Sequence, residues 1–284
     1  MNVYNKIVQN KNKWVKLGGG ISNEVYLFDF DDEKYVIKKL NRKNNGFFNY
    51  IENYMKYLIN SKYFVHFDET NDIYIERFIE GDIINNDILY DMQFLTVICS
   101  EIDLINELSM NIPKENIILK YLNNFIQYLK SHNEFSKFVP YEKIIDEIIK
   151  NKSEYELVYN HNDVQKYNIL IDDNSDKKII ILDFEYAGYS WKFFDHANFV
   201  VLLHIDMNIF HDINIDDYLF AICKRYNGCE YNLHTHLIDL MIIASYLWTM
   251  WAHVKYIITN DEFYLEYSNQ LFNILKKLLK NYYK

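Results

Sequence analysis

Eight residues, HNDVQKYN from His161 to Asn168, set a histidine, an aspartate and an asparagine between two apolar runs, ELVY just upstream and ILI just downstream. A second acid, Asp183, follows in IIILDFEYAG at the end of another apolar run. Polar groups flanked this closely by strand-like sequence are held by rigid neighbours rather than left loose on a surface loop. The set is the one phosphoryl transfer requires: a carboxylate to accept a hydroxyl proton, and an amide with a second carboxylate to hold magnesium on nucleotide phosphates. Oxygen ligands suit this hard cation, and neither a cysteine nor a histidine cluster is needed.

The elements that must position these groups can be read along the chain. In GGGISNEVYLFDFDDEKYVIKKL, two β-rich runs, Val25 to Phe30 and Tyr35 to Leu40, are joined by the turn-like DDE and preceded by Gly18, Gly19 and Gly20. Ile51, Tyr54, Met55 and Leu58 recur at helical spacing within Phe47 to Ile59, and IYIERFI from Ile73 to Ile79 reads as another strand. Gly81 closes this mixed segment. Amphipathic stretches follow near Leu89 to Leu108, Lys114 to Lys130 and Tyr141 to Lys150, then a strand-rich island from Tyr155 to Phe184, then helix to the end. The expectation is an α+β fold of two lobes: a small β-rich lobe over residues 1–80 and a larger, mainly helical lobe over 81–284.

Composition narrows the function classes. Half of the 284 residues are hydrophobic, which argues against disorder, and the length exceeds what one core usually covers. Forty acidic against 30 basic residues give a formal charge of −10, which argues against a nucleic-acid or anionic-membrane partner and suits a cationic substrate. The 26 Tyr and 19 Phe are too many for single aromatics to carry meaning. Cys99, Cys223 and Cys229 form neither a disulfide framework nor a metal knuckle, so buried thiols and a reducing, cytoplasmic compartment are expected. The N-terminus lacks a signal-peptide run, and LMIIASYLWTMWA, from Leu240 to Ala252, falls short of a bilayer span, so no membrane span is expected. Oligomeric state is not set by these features.

H-x-D-x-x-x-x-N followed by an apolar strand and D-F resembles the catalytic loop and metal-binding segment of kinases with the protein-kinase-like fold. More narrowly, HNDVQKYNIL with LDFEYAGYSWKFFDHANF resembles the choline/ethanolamine kinase family, relatives of the aminoglycoside phosphotransferases. Protein kinases carry H-R-D and D-F-G; Asn162 and Glu185 stand at the differing positions here, which implies a small-molecule acceptor. GGGISNEVYLF is similar to the family's first glycine-containing loop, YVIKK to its β3 basic segment and IERFIEG to its hinge. The resemblance implies that Asp163 is the base, that Asn168 and Asp183 hold Mg2+, and that Lys38 meets the ATP phosphates. It places Gly19, Gly20, Ser22 and Asn23 in the nucleotide loop, makes Asp195 a brace for the catalytic loop, and puts Gln165 and Glu185 beside the acceptor.

Trp248 and Trp251 are three apart on an expected helix and so share a face, as core filler would. With Tyr267 they resemble the aromatic pocket of choline kinases, and a quaternary ammonium, which donates no hydrogen bond, needs ring faces. That resemblance favours choline as the acceptor, with ethanolamine, an aminoglycoside-type substrate and a noncatalytic binding module as the alternatives. In the family a glutamate follows the FDxxN segment where Leu202 stands here; Asp206, one turn later, is a candidate substitute, with Met207 beside it.

Other residues have plainer readings. His161 is expected to shape the loop by bonding the backbone. With no G-x-x-x-x-G-K-[ST], the glycines do not form a Walker loop. Lys39 must face away from Lys38, for which Glu52 is the expected ion-pair partner. His204, His211, His234 and His236 are expected to be ordinary surface or boundary residues, and Cys223 with Cys229 has poor zinc spacing.

Overall fold

The computed structural model describes residues 3–17, 23–40, 63–84, 92–152, 154–171, 179–206, 215–226 and 231–283. Gly18, Gly19, Gly20, Ser22, the expected helix over 47–59 with Glu52, and Met207, His211 and Cys229 all lie outside the described residues. The chain divides into two compact units, Met1–Glu80 and Gly81–Lys284.

The first unit holds helix α1 (Val3–Gln9) and strands β1 (Val15–Lys16), β2 (Glu24–Phe30), β3 (Glu33–Lys39), β4 (Phe64–Asp68) and β5 (Ile73–Arg77). They form an antiparallel sheet in the order β1-β2-β3-β5-β4. The β2–β3 turn is two residues long: Asp31 and Asp32 have φ of 52° and 63°, values that match the right-handed twist of the flanking strands. Alternation along β3 turns Tyr35 and Ile37 into a core with Ile7, Phe28, Ile73 and Ile75. Lys38 therefore lies on the opposite face, across from Tyr74, and is only 7% exposed. The short strands β1 and β4 are not legible in the sequence, since such brief or irregular segments carry little period.

The second unit contains β6 (Asp82–Ile83), β7 (Leu157–Asn160), β8 (Ile169–Ile171), β9 (Ile179–Ile181) and β10 (Gly188–Trp191). Sheet β6-β8-β9 and the pair β10-β7 are both antiparallel. The helices are α2 (Met92–Asn106), α3 (Ile117–Ser131), α4 (Val139–Asn151), α5 (Phe194–Asp206), α6 (Ile215–Arg225), α7 (Tyr231–Thr259) and α8 (Glu262–Tyr282). The Asn116 side chain caps α3 by accepting the N–H groups of Ile118 and Leu119, and Asp261 caps α8 through the N–H of Phe263.

Helix α7 organises this unit, packing most extensively on α8 and then on α5. It is apolar all round rather than on one stripe, and a helix of that kind is buried. Residues Leu233–Thr259 are long and apolar enough to cross a membrane, yet their apolar window lies entirely inside the protein. The apolar stretch is therefore longer than Leu240 to Ala252, and it is packed in the core. His253 and Lys255 interrupt the apolar run in sequence without ending the helix: His253 meets the Glu134 carboxylate at 3.3 Å and Lys255 the Trp251 ring at 5.7 Å. His236 is likewise a core residue, 3% exposed and stacked on Tyr155 at 4.1 Å, rather than a surface one.

Candidate active site

Strand β7 ends at Asn160, and the chain turns through Asn162, whose φ of 65° is left-handed. Asparagine tolerates this conformation better than most residues. The buried Asn162 amide locks the turn: its nitrogen donates to the carbonyls of Tyr186 (2.9 Å) and Gly188 (3.2 Å), and its oxygen accepts from the Ser190 hydroxyl at 2.6 Å. The start of β10 is thereby stitched to the end of β7.

Asp195, at the start of α5 and fully buried, accepts the main-chain N–H groups of His161 at 2.7 Å and Asn162 at 2.6 Å, one on each carboxylate oxygen. Burial pushes its pKa up to about 7, and the two N–H donors pull it the other way. The His161 ring bonds backbone at both nitrogens: Nε2 donates to the Leu182 carbonyl at 2.8 Å, and Nδ1 accepts the Asp163 N–H at 3.2 Å. The Leu182 N–H in turn donates to the Asn168 carbonyl at 2.7 Å. The residue just before Asp183 is thus tied to both ends of the 161–168 loop. Asp183 itself has φ and ψ of 65°, so a left-handed turn at the end of β9 sets its carboxylate.

These constraints gather the polar groups. The Asp163 carboxylate accepts from Gln165 Nε2 and Asn168 Nδ2, each at 3.0 Å, and Asn168 Nδ2 also donates to the Asp163 carbonyl at 2.9 Å. The Asn168 amide oxygen is left as the acceptor end of that side chain. Asp163 titrates well above the ordinary carboxylate range, first because it is buried, then because Glu185 and Asp183 repel its charge; Gln165 and Asn168 partly offset this. Two buried carboxylates, Asp163 and Glu185, with half-buried Asp183 beside them favour a compensating cation. Among the described residues no group of three or more His, Cys, Asp or Glu forms a metal cage. One or two carboxylates with an amide, completed by substrate phosphates, is instead the donor set magnesium takes.

Glu185, 7% exposed, also acts on Tyr121, whose hydroxyl is pushed up first by burial and then by that carboxylate. Next to it, Tyr186 sets its ring edge-on to Tyr121 (6.0 Å) and to Trp248 (5.1 Å). Trp248 meets Trp251 at 5.7 Å, and Trp251 meets Tyr264 and Tyr267 at 5.8 and 6.4 Å. The aromatic residues singled out by sequence therefore form one run of rings that begins beside Glu185. Trp248 and Trp251 are 5% and 7% exposed.

In the first unit, Lys38 points into the sheet face it shares with Glu76, 3.8 Å from that carboxylate, whereas Lys39 is exposed beside Glu24. Asn23 is half-buried just before β2. Leu202 is buried in α5, 2% exposed, and the side chains of His204 and Asp206 lie outside the described residues.

Three site residues escape a reading of the sequence. Asn162 stands out there only as a departure from the protein-kinase motif. Asn198 accepts the Trp248 indole N–H at 2.6 Å, and its presence in FDHANF is the available signal. Lys255 is buried on α7 with its ammonium 5.7 Å from the Trp251 ring, and its spacing of four from Trp251 is the only signal.

Known proteins resemble this chain in both sequence and fold. The family model for choline/ethanolamine kinase matches residues 15–276. A protein described as Probable choline kinase 3 from Arabidopsis thaliana is 27% identical over 223 residues, which cover 70% of this chain and 64% of that protein. The chain thus spans less than two thirds of the length of that curated relative. Among solved structures, an ethanolamine kinase from Plasmodium vivax superposes with a TM-score of 0.73 at 17% identity, over 97% of this chain and 86% of that one. Choline kinase LicA from Streptococcus pneumoniae gives 0.74 at 15% identity, over 98% and 99%. At such identities the structural likeness speaks for the fold, and the family model, which spans nearly the whole sequence, speaks for descent. The chain is a member of the choline/ethanolamine kinase family and has an α+β, kinase-like fold.

Proposed function

We propose that the protein transfers the γ-phosphoryl group of ATP to the hydroxyl of choline, giving phosphocholine and ADP. The observation that carries the reading is the Asp163 cluster: a buried carboxylate gripped by Gln165 and Asn168, with Asp183 and Glu185 beside it and a run of rings leading away from Glu185. Asp163 takes the acceptor's hydroxyl proton as the new O–P bond forms and the bond to the ADP oxygen breaks. Gln165 and Asn168 fix the carboxylate for that transfer. Asn168 and Asp183 hold magnesium, which when bound neutralises phosphate charge. Lys38, with Gly19, Gly20, Ser22, Asn23 and Glu52, belongs to the nucleotide side, so residues 1–80 serve ATP and residues 81–284 serve catalysis and the acceptor.

Trp248, Trp251 and Tyr267 supply ring faces for a trimethylammonium group, each worth on the order of 0.5–2 kcal/mol. Ethanolamine is the second reading, because Glu185 offers a carboxylate to which a primary ammonium can donate. A cytoplasmic, reducing setting belongs to the same proposal, in keeping with the burial of Cys99 and Cys223. The test is ADP release with ATP and magnesium against choline, ethanolamine and an aminoglycoside. Turnover of choline with the highest kcat/KM is expected, and no ADP release with any of the three would sink the proposal.

A further inference from the structure

Helix α7 brings a cation to the rings. Trp248, Trp251 and Lys255 are spaced i, i+3 and i+7 and so share one helix face. Lys255 is 3% exposed, and its ammonium stands 5.7 Å from the centroid of the Trp251 ring, within cation–π range. Glu185 acts on it as an opposing charge, while Tyr186, the next residue, rests its ring on Trp248. Such company helps a lysine buried this deeply to keep its charge. Burial draws its pKa down to about 8, and the Glu185 carboxylate draws it back up. The indole N–H of Trp251 is buried and has no hydrogen-bond partner among the described residues, so that ring is positioned by its ring and cation contacts.

We propose that Lys255 is a specificity-determining residue: an internal cation that already stands against the Trp251 ring, within the field of the Glu185 carboxylate, so that a cationic acceptor meets a like charge there. The inference rests on the reading that the acceptor's ammonium binds against Trp248 and Trp251. Two positive charges in one low-dielectric pocket repel, which weakens binding of a cationic head while leaving a neutral head of the same shape unaffected. Lys255 thereby sets acceptor affinity well below what the rings and carboxylate alone would give.

Binding is measured by isothermal titration calorimetry with choline and with its neutral tert-butyl analogue, on wild type, Lys255→Met and Lys255→Arg. Choline should bind Lys255→Met about tenfold more tightly than wild type, a change of the size expected for removing one nearby charge. The neutral analogue should bind all three about equally, and Lys255→Arg should resemble wild type. Because Lys255→Met removes a positive charge that acts on buried Glu185 and so risks the fold, the double variant Glu185→Gln, Lys255→Met is the second arm; with both charges gone, its choline affinity should return to about the wild-type value. Weaker choline binding by a folded Lys255→Met, an equal change for the neutral analogue, or no binding of choline to any variant overturns the inference. Choline turnover by wild type is measured separately: if choline is turned over and its affinity ignores Lys255, the inference falls while the proposed function stands.

Discussion

Trp248 donates its indole N–H to the Asn198 amide oxygen at 2.6 Å, and the nitrogen of that same amide reaches the carbonyl of Val164, next to Asp163, at 3.5 Å. Trp248 is thus a strut between α7 and the catalytic loop as well as a ring beside Tyr186. Trp248→Phe keeps a ring but leaves the buried Asn198 oxygen short of a donor, at a cost of about 1–3 kcal/mol. It should lower kcat as well as raise KM for choline. Trp251→Phe, at a residue whose N–H has no hydrogen-bond partner among the described residues, should act mainly on the acceptor KM. Steady-state kinetics and urea melts on both variants decide, and identical kcat losses would remove the strut.

Asp195 should be needed for the loop rather than for chemistry. Its two oxygens each accept one main-chain N–H, and Asp195→Ala strands both donors in a fully buried site. The expected loss is about 3–5 kcal/mol, with hydrogen-exchange protection of the His161 and Asn162 amides falling sharply. Normal protection and an unchanged melt would refute it.

The loop, its brace and its backbone-bonded histidine are legible in the sequence because they depend on neighbours close along the chain or on one motif. Strands β2 and β3 are found to within two residues, because alternation and a polar turn mark them; β6 and β10 are not, since a two-residue strand has no period and β10 reads as part of a motif. Lys255, His236 and Asn198 escape for a different reason. Each is a polar residue whose burial depends on which distant element faces it, Glu185, Tyr155 and Trp248 respectively, and periodicity along one helix does not name the partner. The partnership of Lys38 with Glu52 falls outside the described residues, and Glu76 stands 3.8 Å from that lysine.

Asp163→Asn and Asp183→Asn should both abolish most turnover, for different reasons. The first keeps an amide oxygen for Gln165 and Asn168 but cannot take the hydroxyl proton, so kcat should fall about 10²–10⁴-fold with ATP affinity retained. The second removes a carboxylate from the proposed magnesium set, so the magnesium concentration needed for half-maximal nucleotide binding should rise. Asp183→Asn with a normal magnesium requirement would remove that residue from the set.

Two core histidines should make the fold acid-sensitive. His196 and His236 are 1% and 3% exposed, and burial, the largest cause in each, lowers both pKa values to about 4. The geometry agrees. Tyr226 gives its proton to Asp103 at 2.6 Å, so His196 Nε2 must donate to the Tyr226 oxygen at 2.7 Å; His236 Nε2 donates to the Lys192 carbonyl at 3.2 Å. Each Nδ1 is buried without a hydrogen-bond partner among the described residues, so a proton added there would be an unsatisfied buried charge. Between the ordinary histidine value of about 6.5 and the folded value the unfolded chain binds protons that the native state does not, so stability is full above that window and is lost as pH falls through it. The loss should reach a few kcal/mol, because a tenfold difference in proton affinity between the folded and unfolded chain corresponds to about 1.4 kcal/mol. His196→Gln keeps an N–H donor for Tyr226 and does not titrate, so its urea midpoint should fall less than that of wild type between about pH 7.5 and pH 5. Parallel losses in the two proteins would show that His196 is not the residue taking up the proton.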